Sequence, residues 1–139
     1  REFQKGSRNN RQVFLIDYEY AAYNYRAFDL ANHFSEHCGF EYDFERTLPT
    51  PSAMRAFLRC YMEALLSQAA YYACTLSPLI IPSSSLQETI QWMLLASHLF
   101  WGSWALVQAG CSTIDFDYTG YAQRRLHALL VHKAKLCHH

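Results

Sequence analysis

The stretch TIQWMLLASHLFWGSWALVQAGCSTI, residues 89–114, contains no Asp, Glu, Lys or Arg, and its reading decides the fold. A bilayer-spanning helix needs about 20 such residues, so length alone would admit a membrane span. Gln91, Ser97, His98, Ser103 and Gln108 run through its middle, however, and no basic cluster flanks it. Membrane helices avoid the first feature and use the second. A helix buried on most sides within a soluble lobe accounts for the pattern better. The other uncharged run, residues 64–87, is broken by Pro78, Pro82 and several serines. No membrane span is expected.

Working outward, Ser85-Leu86-Gln87-Glu88 reads as a capping box that opens this helix, which should run to about Gly110. A last helix over residues 118–135 places Tyr118, Ala122, Leu126, Leu129 and Leu130 on one face, with Arg124-Arg125 as a solvated edge. Upstream, residues 75–83 form a proline-bounded connection. Before it, Thr50-Pro51 supplies a cap and first turn for Met54, Phe57, Leu58, Tyr61, Leu65 and Tyr72 at helical spacing. Residues 26–38 carry Phe28, Leu30, Ala31 and Phe34 with Gly39 just beyond, a helix with its C-cap. Only residues 12–19, with Val13-Phe14-Leu15-Ile16 leading into Asp17, read as a buried strand. The fold class is mainly α. Residues 1–12 are polar without apolar period and resemble the inside of a loop, so the chain is expected to be a fragment of a longer protein.

The 139 residues suffice for one domain with a core, and 51% of them are apolar, which excludes a disordered chain. Lys+Arg and Asp+Glu balance at 12 each, so no net field favours nucleic acid, and the ligand should be small. Five cysteines stand at no CxxC spacing. A reducing cytosol fits an odd, unpatterned set, which points to a cytoplasmic protein with Cys60 and Cys74 as small core residues.

Three constellations could carry chemistry. Asp17, at the end of an apolar strand, is placed to hold Mg²⁺ against nucleotide phosphates, with Glu19 assisting through water; a solvated turn acid is the plainer reading of the same spacing. Trp101 and Trp104 share a helix face, and Phe116 and Tyr121 continue the aromatic series across the turn at residues 110–115. Such a set is either core or a cation–π cage for an ammonium group, with Glu36 as its carboxylate. His33-Phe34-Ser35-Glu36-His37 matches the H-x-x-E-H pattern of an inverted zinc peptidase. That pattern lacks a third ligand, and His33 reads instead as a packing residue. Asp29 and Asn32 read as braces for a neighbouring loop.

The run LIDYEYAAYNYRAFDLANHFSE, residues 15–36, resembles the choline-kinase motif of the choline/ethanolamine kinases. HLFWGSWALVQ (residues 98–108), continued by STIDFDYTGYA (residues 112–122), resembles that family's C-terminal block. The resemblance spans residues 13 to 130. It implies the C-terminal helical lobe of a protein-kinase-like (α+β) fold, entered by one or two short strands, with residues 13–139 as the substrate-binding lobe. It further implies transfer of the ATP γ-phosphoryl to the hydroxyl of choline or ethanolamine, the first step towards the corresponding phospholipids. On this basis Asp17 and Glu19 are the Mg²⁺-site acids, and Tyr20, Glu36, Trp101, Trp104, Phe116 and Tyr121 line the amino-alcohol pocket. The family's His-Asn-Asp run, which supplies the catalytic base, is absent from the chain, as is the nucleotide-contacting lysine, so the fragment alone is expected to be inactive. Ser103 replaces the leucine usual between the tryptophans, and His37-Cys38-Gly39 departs from the aromatic-rich sequence of choline kinases. The Ser112–Ile114 and Phe116-Asp117 blocks, and Gly39 after Glu36, look more like ethanolamine kinases, and dual specificity stays open. The resemblance leaves room for a homodimer of the full-length enzyme. A non-catalytic ammonium-binding module is the alternative from another functional class.

Overall fold

The structure, a computed structural model, describes residues 14, 16–71 and 83–137, with the side chains of 69–71 and 83–84 excepted. Its elements in chain order are α1 (Arg26–Ser35), a 3₁₀ turn (Glu36–Cys38), α2 (Phe44–Thr47), α3 (Pro51–Tyr71), α4 (Ser83–Cys111) and α5 (Tyr118–Cys137). The mainly helical lobe expected from the sequence is therefore present. Among the described residues no helix is long and apolar enough to cross a membrane.

Each helix follows its local signals. Gly39 ends the α1 turn with φ +56, a backbone conformation that side chains disfavour, and its N–H donates to the Glu36 carbonyl at 3.1 Å. Thr50 Oγ1 accepts the Ala53 N–H at 3.3 Å and caps α3. The expected capping box is overturned: α4 is already helical at Ser83, and the Ser85 carbonyl accepts the Thr89 hydroxyl within it at 2.7 Å. The connection at 75–83 and Tyr72 lie outside the described residues, apart from Ser83, which belongs to α4.

The expected strand does not form among the described residues. Phe14 and Ile16 are 76% and 81% exposed, Asp17 has φ 64, and the Ala21 N–H closes a turn onto the Tyr18 carbonyl at 3.0 Å. A β-favouring run needs a neighbouring ladder to satisfy its backbone groups, and none stands beside these residues among those described. Val13 and Leu15 fall outside the described set.

Helix α4 is the centre of the lobe, packing most extensively on α5, then on α1, then on α3. Ala27, Leu30, Ala31 and Phe34 of α1 meet Met54 and Leu58 of α3 and Leu86, Ile90 and Leu94 of α4 in one apolar cluster. One side of α4 stays open to solvent at Leu99, Phe100, Leu106 and Val107, so it is less enclosed than its composition suggests. Gly102 lets α5 approach closely: a Cβ there would meet Leu126 Cδ2 at 3.2 Å.

Two further expectations are corrected. Cys60 is exposed, and Cys38 is the buried thiol; Cys74 is outside the described residues. On α5 the buried face is Tyr118, Ala122, Arg125, Ala128 and His132, while Leu130 is 66% exposed. Arg125, expected at a solvated edge, is 0% exposed. Its five-donor fork finds aromatic faces and hydroxyls on α1 and the following loop, which the sequence around it could not reveal.

Candidate functional site

Where the α1 end, the N-terminal segment, α4 and the start of α5 converge, a cavity of about 540 Å³ opens. It is lined by Asp17, Tyr20, Glu36, Phe40, Trp101, Trp104, Ile114, Asp115, Phe116, Tyr118 and Tyr121. Helical spacing puts Trp101 and Trp104 on one face of α4, their rings edge to face at 5.6 Å. Tyr20 stands against both, at 5.6 Å from Trp101 and 6.2 Å from Trp104. The series continues through Trp104–Tyr118 at 5.8 Å, Phe116–Tyr118 at 4.9 Å and Phe116–Tyr121 at 5.9 Å, and Phe40 closes on Phe116 at 5.4 Å.

Hydrogen bonds fix the two tryptophans. Trp104 Nε1 donates to the Tyr20 hydroxyl at 2.9 Å. Trp101 Nε1 donates to Asn32 Oδ1 at 3.2 Å, and the buried Ser97 hydroxyl donates to the same oxygen at 2.6 Å. Asn32 therefore braces α4 and a cavity ring rather than a loop. The Ser112 and Tyr118 hydroxyls lie 3.0 Å apart, and Ser112 Oγ accepts the Ile114 N–H at 3.2 Å, which ties the 112–118 turn to α5. Burial pushes the Tyr121 phenol up, so it stays a neutral hydroxyl.

The lining is electrostatically one-sided. Asp17, Glu36 and Asp115 bring three carboxylates, and among the described residues no Lys, Arg or His belongs to it. Aromatic faces with carboxylates and no competing cation suit an organic ammonium group, which gains from both. Hard oxygen donors are also what Mg²⁺ selects, and Asp17 offers one at the cavity wall. Among the described residues no three His, Cys, Asp or Glu gather as a metal cluster.

Seven of the residues expected to act, Asp17, Tyr20, Glu36, Trp101, Trp104, Phe116 and Tyr121, line this one cavity. Glu19 does not, because the chain turns at Glu19-Tyr20 instead of continuing as a strand. Sequence reasoning missed Phe40, Ile114, Asp115 and Tyr118 as lining residues. Three of these sit in or next to the turn between α4 and α5, beside residues already chosen, and adjacency was the available signal. Among the described residues the H-x-x-E-H pair gathers no third ligand, and His33 stacks on Phe57 with centroids 4.5 Å apart, the packing role expected of it.

Comparison with known proteins accords with this geometry. The pattern of the choline/ethanolamine kinase family matches residues 6–130. The chain is 41% identical over 124 residues to an ethanolamine kinase of Drosophila melanogaster, covering 88% of this chain and 22% of that protein. It is 40% identical over 111 residues to ethanolamine kinase 1 of Homo sapiens, covering 79% of this chain and 24% of that protein. With choline kinase alpha of Mus musculus it shares 33% identity over 135 residues, 91% of this chain and 29% of the relative. The chain thus spans less than a third of the length of these relatives, all of them kinases and so transferases. The chain belongs to the choline/ethanolamine kinase family.

Proposed function

We propose that this chain supplies the amino-alcohol pocket of an ATP-dependent phosphotransferase that acts on ethanolamine, choline or both. The observation that carries the reading is the cavity itself: a continuous aromatic wall with three carboxylates and, among the described residues, no basic side chain. Its rings attract an ammonium cation, each by about 0.5–2 kcal/mol, and Glu36 adds a charge-assisted contact at the end of α1. With the ammonium head held there, the hydroxyl of a two-carbon amino alcohol is directed towards Asp17. Asp17 would hold the Mg²⁺ of the nucleotide, which supplies charge neutralisation at the transferred phosphoryl group.

The contribution of these residues is positioning and electrostatics. By the family resemblance, the base that takes the hydroxyl proton and the nucleotide-contacting lysine have no counterpart in residues 1–139, so this chain alone should not turn over. Phosphoethanolamine or phosphocholine formed by residues 1–139 with ATP would contradict that. Five cysteines in an odd, unpatterned set fit a reducing compartment and a cytoplasmic enzyme.

The test of the pocket is a titration of ethanolamine and of choline against tryptophan fluorescence, with Trp101→Ala as the control. A saturable quench that the variant loses is expected. A folded complete protein with no quench by either compound would overturn the reading. Primary ammonium groups favour oxygen acceptors and trimethylammonium groups favour aromatic surface; the cavity offers both, which supports activity on both alcohols.

A further inference from the structure

Arg125 is fully buried, yet among the described residues it forms no ion pair with a carboxylate. Its Nη1 donates to the Tyr42 hydroxyl and to Ser35 Oγ, the latter at 3.4 Å. The guanidinium carbon lies 4.1 Å from the Tyr42 ring centroid and 5.4 Å from that of Tyr121. Among the described residues, Nε and Nη2 have no hydrogen-bond partner. A buried cation satisfied this incompletely is a costly way to hold helices together. An apolar side chain of similar volume would pack α5 onto Tyr42 at lower cost.

What the guanidinium joins explains its use. Tyr121 lines the cavity, and Ser35 directly precedes Glu36, which also lines it. Tyr42 in turn shares a hydrogen bond of 3.0 Å with His98 Nδ1, on α4 one turn before Trp101. Through Nη1, Arg125 of α5 reaches the α1 end at Ser35 and, by way of Tyr42 and His98, α4, so it links the three helical walls of the cavity, although it is not itself part of the lining. We propose that Arg125 is a positioning residue of the ammonium site, setting the Tyr121 ring and the Glu36 carboxylate at a fixed separation across the cavity. The inference rests on the pocket reading above.

The charge-conserving substitution Arg125→Lys removes the planar guanidinium that lies over the Tyr42 and Tyr121 rings while keeping the cation. Tyr42→Phe removes the hydroxyl that accepts from Nη1 and keeps the ring that stands 5.9 Å from Tyr121. In the complete protein, calorimetric titration with choline and ethanolamine is expected to show affinity weakened about tenfold by Arg125→Lys and severalfold by Tyr42→Phe. The double variant should be no weaker than Arg125→Lys alone. The Glu36 amide and Tyr121 ring resonances should be displaced in both single variants. A merely structural arginine would lower the thermal midpoint but leave affinity within about twofold and both resonances in place, which would overturn the proposal. If Arg125→Lys fails to fold, Tyr42→Phe carries the same test. If the unsubstituted protein binds neither compound, the pocket reading fails, and the resonances alone decide whether Arg125 positions Glu36 and Tyr121.

Discussion

The Trp101 indole N–H and the Asn32 side chain, 69 positions apart in sequence, meet in a 3.2 Å hydrogen bond that orients one wall of the cavity from the opposite helix. The same Asn32 oxygen takes the buried Ser97 hydroxyl, so a single acceptor serves two donors on α4. Asn32→Ala leaves both without it and should cost about 1–3 kcal/mol of stability. It should also release the Trp101 ring and weaken ammonium binding. Asn32→Asp keeps the acceptor and should retain more of each. Urea denaturation of the three proteins, followed by a choline titration, checks both effects.

Two buried imidazoles make stability depend on pH. Burial, reinforced by Arg125, lowers the His98 pKa to about 3, and burial with Lys135 lowers that of His132 to about 4. Both folded values lie below the ordinary 6.5, so the unfolded chain binds the extra protons as pH falls. Stability contributed by the neutral rings is complete above pH 6.5 and is lost below it. The loss is about 1.4 kcal/mol per imidazole for each pH unit, until the folded values are reached. Denaturant unfolding at pH 7.5, 6.5 and 5.5 should show a flat first interval and a steep second one. Equal stability at 6.5 and 5.5 would contradict this account.

The α5 helix separates what the sequence revealed from what it concealed. Its limits were legible because turn residues precede it and apolar residues recur through it. Its inward face was not, because Arg124-Arg125 reads as a pair of solvated charges, while the partners of Arg125 lie 83 and 90 positions away. The strand failed for a related reason: β propensity around Phe14 and Ile16 is local, whereas a strand needs a distant neighbour. Aromatic residues of the cavity were legible from helical spacing and from the family resemblance. The loop residues Phe40, Ile114 and Asp115 lack any period that would mark them.

Leu130→Ala tests that inward face of α5, with Leu94→Ala on α4 as the buried reference. Leu94 is fully buried between α1 and α3, and Leu130 is 66% exposed. Truncation at Leu94 should cost about 2–5 kcal/mol, and truncation at Leu130 within about 0.5 kcal/mol. Thermal or urea midpoints read both, and equal losses would mean that α5 is rotated from the orientation described.

Asp17 and Glu36 should separate by role. Asp17→Asn in the complete enzyme should lower kcat on the order of a hundredfold with little change in the affinity for the amino alcohol. Glu36→Gln should mainly raise KM for it, by about tenfold. Steady-state kinetics with varied ethanolamine distinguishes them.

The central claim is that the aromatic and acidic cavity recognises a positive charge. The most direct measurement compares choline with its neutral carbon isostere, identical in shape but with carbon in place of the ammonium nitrogen, by calorimetric titration of the complete protein. Cation–π attraction and the three carboxylates predict that choline binds at least about tenfold more tightly, and that Trp101→Ala narrows the gap. Equal affinity for the two compounds would show that the cavity selects shape alone, and would contradict the account.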